Sequence, residues 1–199
     1  YHLKHHRFTE TEDDPDLALS APFPITKISF FRKVLRDLTG ITGFRRYSQA
    51  LISILKTDGD NIPDRLKGIW FKIHGFLITN ILIFLAISFF FHWSLYFLLW
   101  WLPAFTYYSL IIRIRNIAEH CVTSGSTDLD NTRTTLTNPI VRFLMAPHRV
   151  NYHLEHHLFM MCPWYNLPKA HKMMIKNGFK DKMCISNSYR SVLNKAVSA

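Results

Sequence analysis

Two copies of one pattern, His-x-x-His-His, lie near opposite ends of a 199-residue chain: His2, His5 and His6, and His153, His156 and His157. Imidazole suits iron, copper, zinc and nickel. On an α-helix, positions i, i+3 and i+4 fall within an arc of about 100°, so each triplet turns its rings to one side, as a multidentate metal face requires. At this histidine content a single such pattern arises by chance in roughly one chain in thirty, and two copies are far rarer. A third contributor lies between them in Arg115-Asn116-Ile117-Ala118-Glu119-His120. Asn116 and His120 are four apart and share a helical face. His120 reads as a further ligand, and Asn116 as a holder of metal-bound water through its side-chain carbonyl. Seven histidines exceed what one tetrahedral zinc can use, and structural zinc sites usually include thiolates. Cys121, Cys162 and Cys184 form no C-x-x-C pair. Two irons used for dioxygen activation are therefore favoured. Glu119 and Glu155 sit inside the motifs, where they either orient ligand imidazoles from behind or face solvent. His74 and His92 read as interfacial and His171 as a surface residue. His148 precedes the second triplet by five residues and could support it from behind.

Such a site needs elements that bring the two triplets together. Ile73 to Ile112 is a run of 40 residues without Asp, Glu, Lys or Arg. The block from about Ile69 is too long for one membrane span and about right for two of roughly 20 residues. A turn is expected near Phe91–Trp93, and Pro103 should bend the second helix. Arg65, Lys67 and Lys72 precede the block, Arg113 and Arg115 follow it, and the turn carries no charge. The positive-inside rule then puts both ends in the cytosol. A transmembrane hairpin over about 69–113 returns the chain to the side it left, so both triplets face the cytosol. The competing reading is a buried helical hairpin in a soluble protein. Upstream, Pro24 to Leu38 and Phe44 to Lys56 interleave apolar and basic residues at helical spacing, which describes amphipathic helices in the headgroup region. Asp58-Gly59-Asp60 and Pro63 read as a loop. Thr123–Thr137 reads as a Ser/Thr/Asp-rich loop, and Pro139 to Met145 as a short apolar helix. The predicted fold class is all-α: a polytopic helical membrane protein with a transmembrane hairpin, interfacial amphipathic helices and a cytosolic histidine-box metal site.

Composition narrows the partners. The net charge is +10 and 16 of 199 residues are Phe. Basic charge alone could mean nucleic acid, but a nucleic-acid module has no use for so long an uncharged run. The anionic membrane surface is the expected partner. Three scattered cysteines argue against a disulfide framework and for a reducing compartment. No apolar signal-peptide core follows Tyr1. Beyond Pro168 the tail is basic, with Asp181 its one acid.

At these residues the chain resembles the membrane fatty acid desaturase family of histidine-box, di-iron proteins. The resemblance covers nearly all of it and is carried by "YHLKHHRFTETEDDPDL", "RNIAEHC" and "NYHLEHHLFMMCPWYNLPKAHK". It makes His2, His5 and His6 the second of three boxes and His153, His156 and His157 the third. His120 then matches the extra histidine ligand and Asn116 the asparagine that reaches a metal through water. Implied are two iron ions, O2 as co-substrate, a lipid or fatty acyl substrate and insertion of a cis double bond. An endoplasmic reticulum or bacterial inner membrane setting is implied too.

The first box, H-x(3,4)-H, and two membrane helices before it are expected upstream of Tyr1. By themselves these 199 residues are expected to form a deficient metal site without turnover. His153 stands where front-end desaturases usually have Gln, and no His-Pro-Gly-Gly haem motif occurs. Electrons should come from a separate donor of cytochrome b5 or ferredoxin type, docked on the basic surface. The runner-up is a hydroxylase or ketolase of alkane, carotenoid or sphingoid lipid. From another class comes a non-catalytic zinc-binding membrane protein.

Overall fold

The computed structural model describes residues 2–9, 11–14, 17, 22–123, 125 and 127–198. An acidic run comprises Glu10, Glu12, Asp13, Asp14 and Asp16, and of these Glu10 and Asp16 lie outside the described residues. The chain is predominantly helical and divides into two compact units, one of residues 32–110 and one of residues 1–31 with 111–199.

The helices in chain order begin with α1 (His2–Phe8), α2 (Lys27–Leu38), α3 (Ile41–Leu55) and α4 (Ile62–Phe90). Asn61 caps α4 by accepting from the Asp64 N–H, and Pro63 occupies the first turn, where no N–H is needed. The helix therefore starts before the uncharged block. Its 29 residues extend about 43 Å at 1.5 Å per residue, well beyond a hydrocarbon core of about 30 Å. Phe91 to Trp93 break the helix where the turn is expected, and α5 runs from Ser94 to His120. Both helices are long and apolar enough to cross a membrane. None of the most apolar stretch of α4 is buried by protein. A soluble core helix is mostly covered by protein, and this stretch is not.

Pro103 acts as expected but not alone. It has no N–H to give the Leu99 carbonyl, and the chain adapts with a π-helical turn over Phe97–Trp101, in which the Leu102 N–H reaches Phe97 O. Thr106 then leaves helical geometry before α5 resumes at Tyr107. Asn80 of α4 accepts from Tyr96 Oη (2.8 Å) and Trp100 Nε1 (3.1 Å) of α5, which satisfies a polar group in the middle of an apolar helix. Arg46 of α3 donates to the Ala104 carbonyl at 2.9 Å. At Gly43 a Cβ would lie 2.3 Å from the Phe105 carbonyl oxygen. Gly43→Ala is accordingly expected to destabilise this unit by about 1–3 kcal/mol through overpacking, read as a lowered thermal midpoint in detergent micelles. On α2 the exposed Ile28, Phe31, Leu35 and Leu38 form one stripe, and on α3 Ile41, Phe44, Ile52 and Leu55 do the same. These are the apolar faces an interfacial helix needs.

The other unit contains α1, the end of α5, and then α6 (Pro139–Met145), α7 (His153–Leu158), α8 (Leu167–Lys176) and α9 (Tyr189–Ala196). Ile117 of α5 and Cys121 just after it bury against Val192 and Ala196 of α9, and Leu154 of α7 buries against Met174 of α8 and Met183. The threonine-rich stretch is less loop-like than its composition predicts. Thr132, Thr134 and Thr135 are buried. β1 (Thr134–Thr135) pairs in parallel with β2 (Ile185–Ser186), a minimal exception to the all-α prediction. Arg133 turns inward as well. It donates to the carbonyls of Ala118, Cys121 and Val122, which satisfies the open end of α5 just after His120.

Candidate metal centre

Three helices deliver the histidines. α1 carries His2, His5 and His6, the last turn of α5 carries His120, and α7 carries His153, His156 and His157. All seven converge, and they sort into two groups. His5, His120, His153 and His157 form one, in which every pair of ligand nitrogens lies within 4.8 Å; His2, His6 and His156 form the other. Each box is divided. Its i, i+4 pair goes to one group and its i+3 histidine crosses to the other. The single multidentate face predicted for each triplet is thus two half-faces, completed by the opposite helix. His6 and His157 stack at 4.1 Å where the groups meet.

The spacing within each group fits a bound cation. His153 Nε2 lies 2.9 Å from His120 Nε2 and 3.0 Å from His157 Nε2. In the other group His6 Nε2 is 3.1 Å from both His2 Nε2 and His156 Nε2, and those two are 3.3 Å apart. Three nitrogens in a triangle cannot all hydrogen-bond one another, because each neutral ring carries a single N–H. Metal–nitrogen bonds of about 2.0–2.1 Å place neighbouring ligands about 2.9–3.4 Å apart in octahedral or tetrahedral geometry.

The surroundings set the tautomers. His5 Nδ1–H donates to Asp14 Oδ1 at 2.8 Å, with both side chains buried, leaving Nε2 for the group. Thr9 donates its single hydroxyl hydrogen to the His5 carbonyl at 2.8 Å. Its oxygen therefore accepts from His157 Nδ1–H at 3.2 Å, which again leaves Nε2 as the bare nitrogen. Partners of this kind orient ligand imidazoles and raise their basicity. Glu119 holds Arg115 at 3.2 Å and places its other oxygen 4.0 Å from His153 Nδ1. Asp14 and Glu119 thus bring negative charge behind a ring set that has none of its own.

Burial, with the neighbouring imidazoles second, holds the His6 pKa down to about 4. The same causes push His153, His156 and His157 below the usual histidine range. These four rings are neutral at pH 7 and their lone pairs are free for a metal. The metal-free protein should therefore lose stability as pH falls from about 6.5, where unfolded histidine takes up a proton, to about 4, where native His6 does. In that window the unfolded chain binds more protons than the native one. A thermal midpoint that falls with pH across this range, measured after chelation, is the expected result.

Asn116 lies one turn before His120, and its Oδ1 is buried with no hydrogen-bond partner among the described residues. An acceptor left this way is suited to a water molecule. It is not one of the nitrogens of either group.

Glu155 is fully buried and faces away from the rings. It accepts from His171 Nδ1 at 2.6 Å and from the Thr134 hydroxyl. Neither solvent nor a box histidine is its partner. His171, expected at the surface, is instead largely buried and ties α8 to α7 through this carboxylate. His148 is exposed and packs edge-to-face on Trp164, and it belongs to neither group. His74 hydrogen-bonds the Trp70 carbonyl, and His92 sits in the break between α4 and α5.

Asp14, Thr9 and Arg133 escaped the sequence reading. Thr9 follows His5 by four residues, so helical spacing was a signal for it. Asp14 was hidden in an acidic run, and nothing local marked Arg133. The profile of the fatty acid desaturase family matches residues 1–182. No curated protein and no solved structure matches the chain. The matched span takes in all seven clustered histidines and both apolar helices, and the chain belongs to the fatty acid desaturase family.

Proposed function

We propose that the chain carries the di-iron centre of a membrane desaturase that introduces a double bond into a lipid acyl chain. The convergence of seven histidine side chains in a four-plus-three arrangement supports this most directly. Family membership adds the oxidoreductase class and the lipid substrate. His5, His120, His153 and His157 would hold one iron, and His2, His6 and His156 the other. When bound, the irons supply the dioxygen chemistry that removes two hydrogens from an unactivated methylene pair.

The residues of the chain hold that chemistry in place. Asp14 and Thr9 fix the rings of His5 and His157, and Arg133 secures the end of the helix that presents His120. Asn116 would hold water beside the four-histidine group. That group is the more buried, with His5, His120 and His153 all enclosed, whereas His2 is exposed. The three-histidine group therefore has room for further ligands and the weaker grip. The hairpin of α4 and α5 would leave both boxes on the cytosolic face. A separate acidic redox protein would dock on the basic tail at Lys180, Lys182, Arg190 and Lys195, so electron transfer should slow as salt rises.

Product analysis by mass spectrometry tests the reading. The full-length protein, with iron, reductant, O2 and membrane lipid, should yield acyl chains lighter by two hydrogens. Products heavier by one oxygen would make it a hydroxylase. Retention of zinc with no oxygen uptake on reduction would make it a metal-binding protein without this activity.

A further inference from the structure

The histidine-bearing unit exposes a second feature that the metal chemistry does not use. Ile140, Phe143 and Leu144 of α6, Met161 after α7, and Trp164 and Tyr165 before α8 project from its surface, with Phe143 82 % and Met161 94 % exposed. The turn Pro147–Arg149 joins them, since His148 packs edge-to-face on Trp164 with ring centroids 5.2 Å apart. Between them runs an open groove of about 440 Å³, lined by Arg142, Phe143, His148, Arg149 and Trp164 among others. Soluble surfaces rarely gather so many large apolar side chains in one place without a partner.

Charge identifies the partner. Over residues 139–176 there are five Lys or Arg (Arg142, Arg149, Lys169, Lys172 and Lys176), and the only acid is Glu155, which is fully buried. The accessible surface of this stretch therefore carries no negative side chain. The guanidinium groups of Arg142 and Arg149 have no hydrogen-bond or carboxylate partner among the described residues, although both residues line the groove. His148 and Arg149 adopt φ of +55° and +59°, two successive non-glycine residues in the left-handed region. Such a conformation persists only where the surroundings hold it, and it often marks a binding segment. Apolar tips, a Trp–Tyr pair and flanking cations are the composition of a surface that enters the headgroup layer.

We infer that this surface docks on the anionic face of a phospholipid bilayer, with Phe143, Met161 and Trp164 in the acyl boundary and a headgroup phosphate in the groove between Arg142 and Arg149. The inference rests on the membrane reading of α4 and α5 and is independent of the metal chemistry. The docked surface adjoins α7 in sequence on both sides, so it would hold the third box at lipid level.

The test uses the full chain in nanodiscs of mixed phosphatidylcholine and phosphatidylglycerol, with Cys162→Ser and Cys184→Ser to remove the less buried thiols. An environment-sensitive fluorophore is attached at Phe143→Cys, at Met161→Cys or, as a reference, at Leu82→Cys in α4. Lipid carrying a nitroxide near the glycerol should quench the first two labels severalfold more than aqueous iodide does. Adding Arg142→Gln with Arg149→Gln should reduce that lipid quenching at Met161→Cys at least twofold. Quenching by iodide alone, or protection from both quenchers as a protein partner would give, overturns the docking surface. No change in the double variant overturns the phosphate groove. Lipid quenching at Leu82→Cys without any at the other two sinks this inference alone, whereas its absence at Leu82→Cys sinks the membrane reading beneath it.

Discussion

Replacing His120 with alanine is expected to remove one metal ion per chain and leave the other, and His156→Ala should do the converse. The reason is the division of the boxes. His120 belongs to the four-histidine group and His156 to the three-histidine group, and neither nitrogen lies in the other's triangle or tetrad. Were all seven rings to serve one ion, either change would abolish binding outright. Turnover should collapse in both variants, by more than the 10–100-fold that changes behind the ligands typically cost. Metal analysis per chain, with circular dichroism to show retained helix, separates a lost ion from a lost fold. Loss of both ions in each variant would mean that the groups are coupled into a single site.

Asp14→Ala should weaken metal binding in the four-histidine group by roughly 10–100-fold without removing any ligand. Asp14 is buried and receives the His5 Nδ1–H at 2.8 Å. Without it the ring can rotate or switch tautomer, and a buried N–H is left without its acceptor. Asp14→Asn separates geometry from charge. Its carbonyl can still accept from Nδ1, so the tautomer is kept, while the negative charge behind the metal is lost. A large deficit in Asp14→Ala that Asp14→Asn mostly repairs assigns the effect to orientation. Equal deficits assign it to charge. A normal affinity in both would remove Asp14 from the account. Ferrous or zinc titration under anaerobic conditions reads all three cases.

What the sequence disclosed and what it withheld follow from one distinction. Features set by local pattern were legible: the box spacing, the two long apolar helices, the turn at Phe91–Trp93 and the disturbance at Pro103. Helical periodicity also held the answer for Glu155. It lies two residues after His153, about 200° around the helix, and so had to face away from the rings. The division of the histidines between the two groups was not legible. Spacing puts His153, His156 and His157 on one side of α7, but it cannot say that His156 reaches across to His2 and His6. That depends on how α1 lies against α7, a contact between residues some 150 apart in the chain. The partners of buried polar groups were hidden for the same reason. Arg133 looks like a loop cation until the carbonyls of Ala118, Cys121 and Val122 are found around it, and His171 looks like one more basic residue of the tail until Glu155 is found beside it.

The central claim is that these histidines make two distinct metal sites that take iron. Anaerobic titration of the metal-free, full-length protein with ferrous iron, followed by Mössbauer spectroscopy, tests it most directly. The account predicts two irons per chain in two distinguishable nitrogen-rich environments, the four-histidine site filling first. A single iron per chain, one environment for both, or failure to bind iron while zinc is held would contradict it.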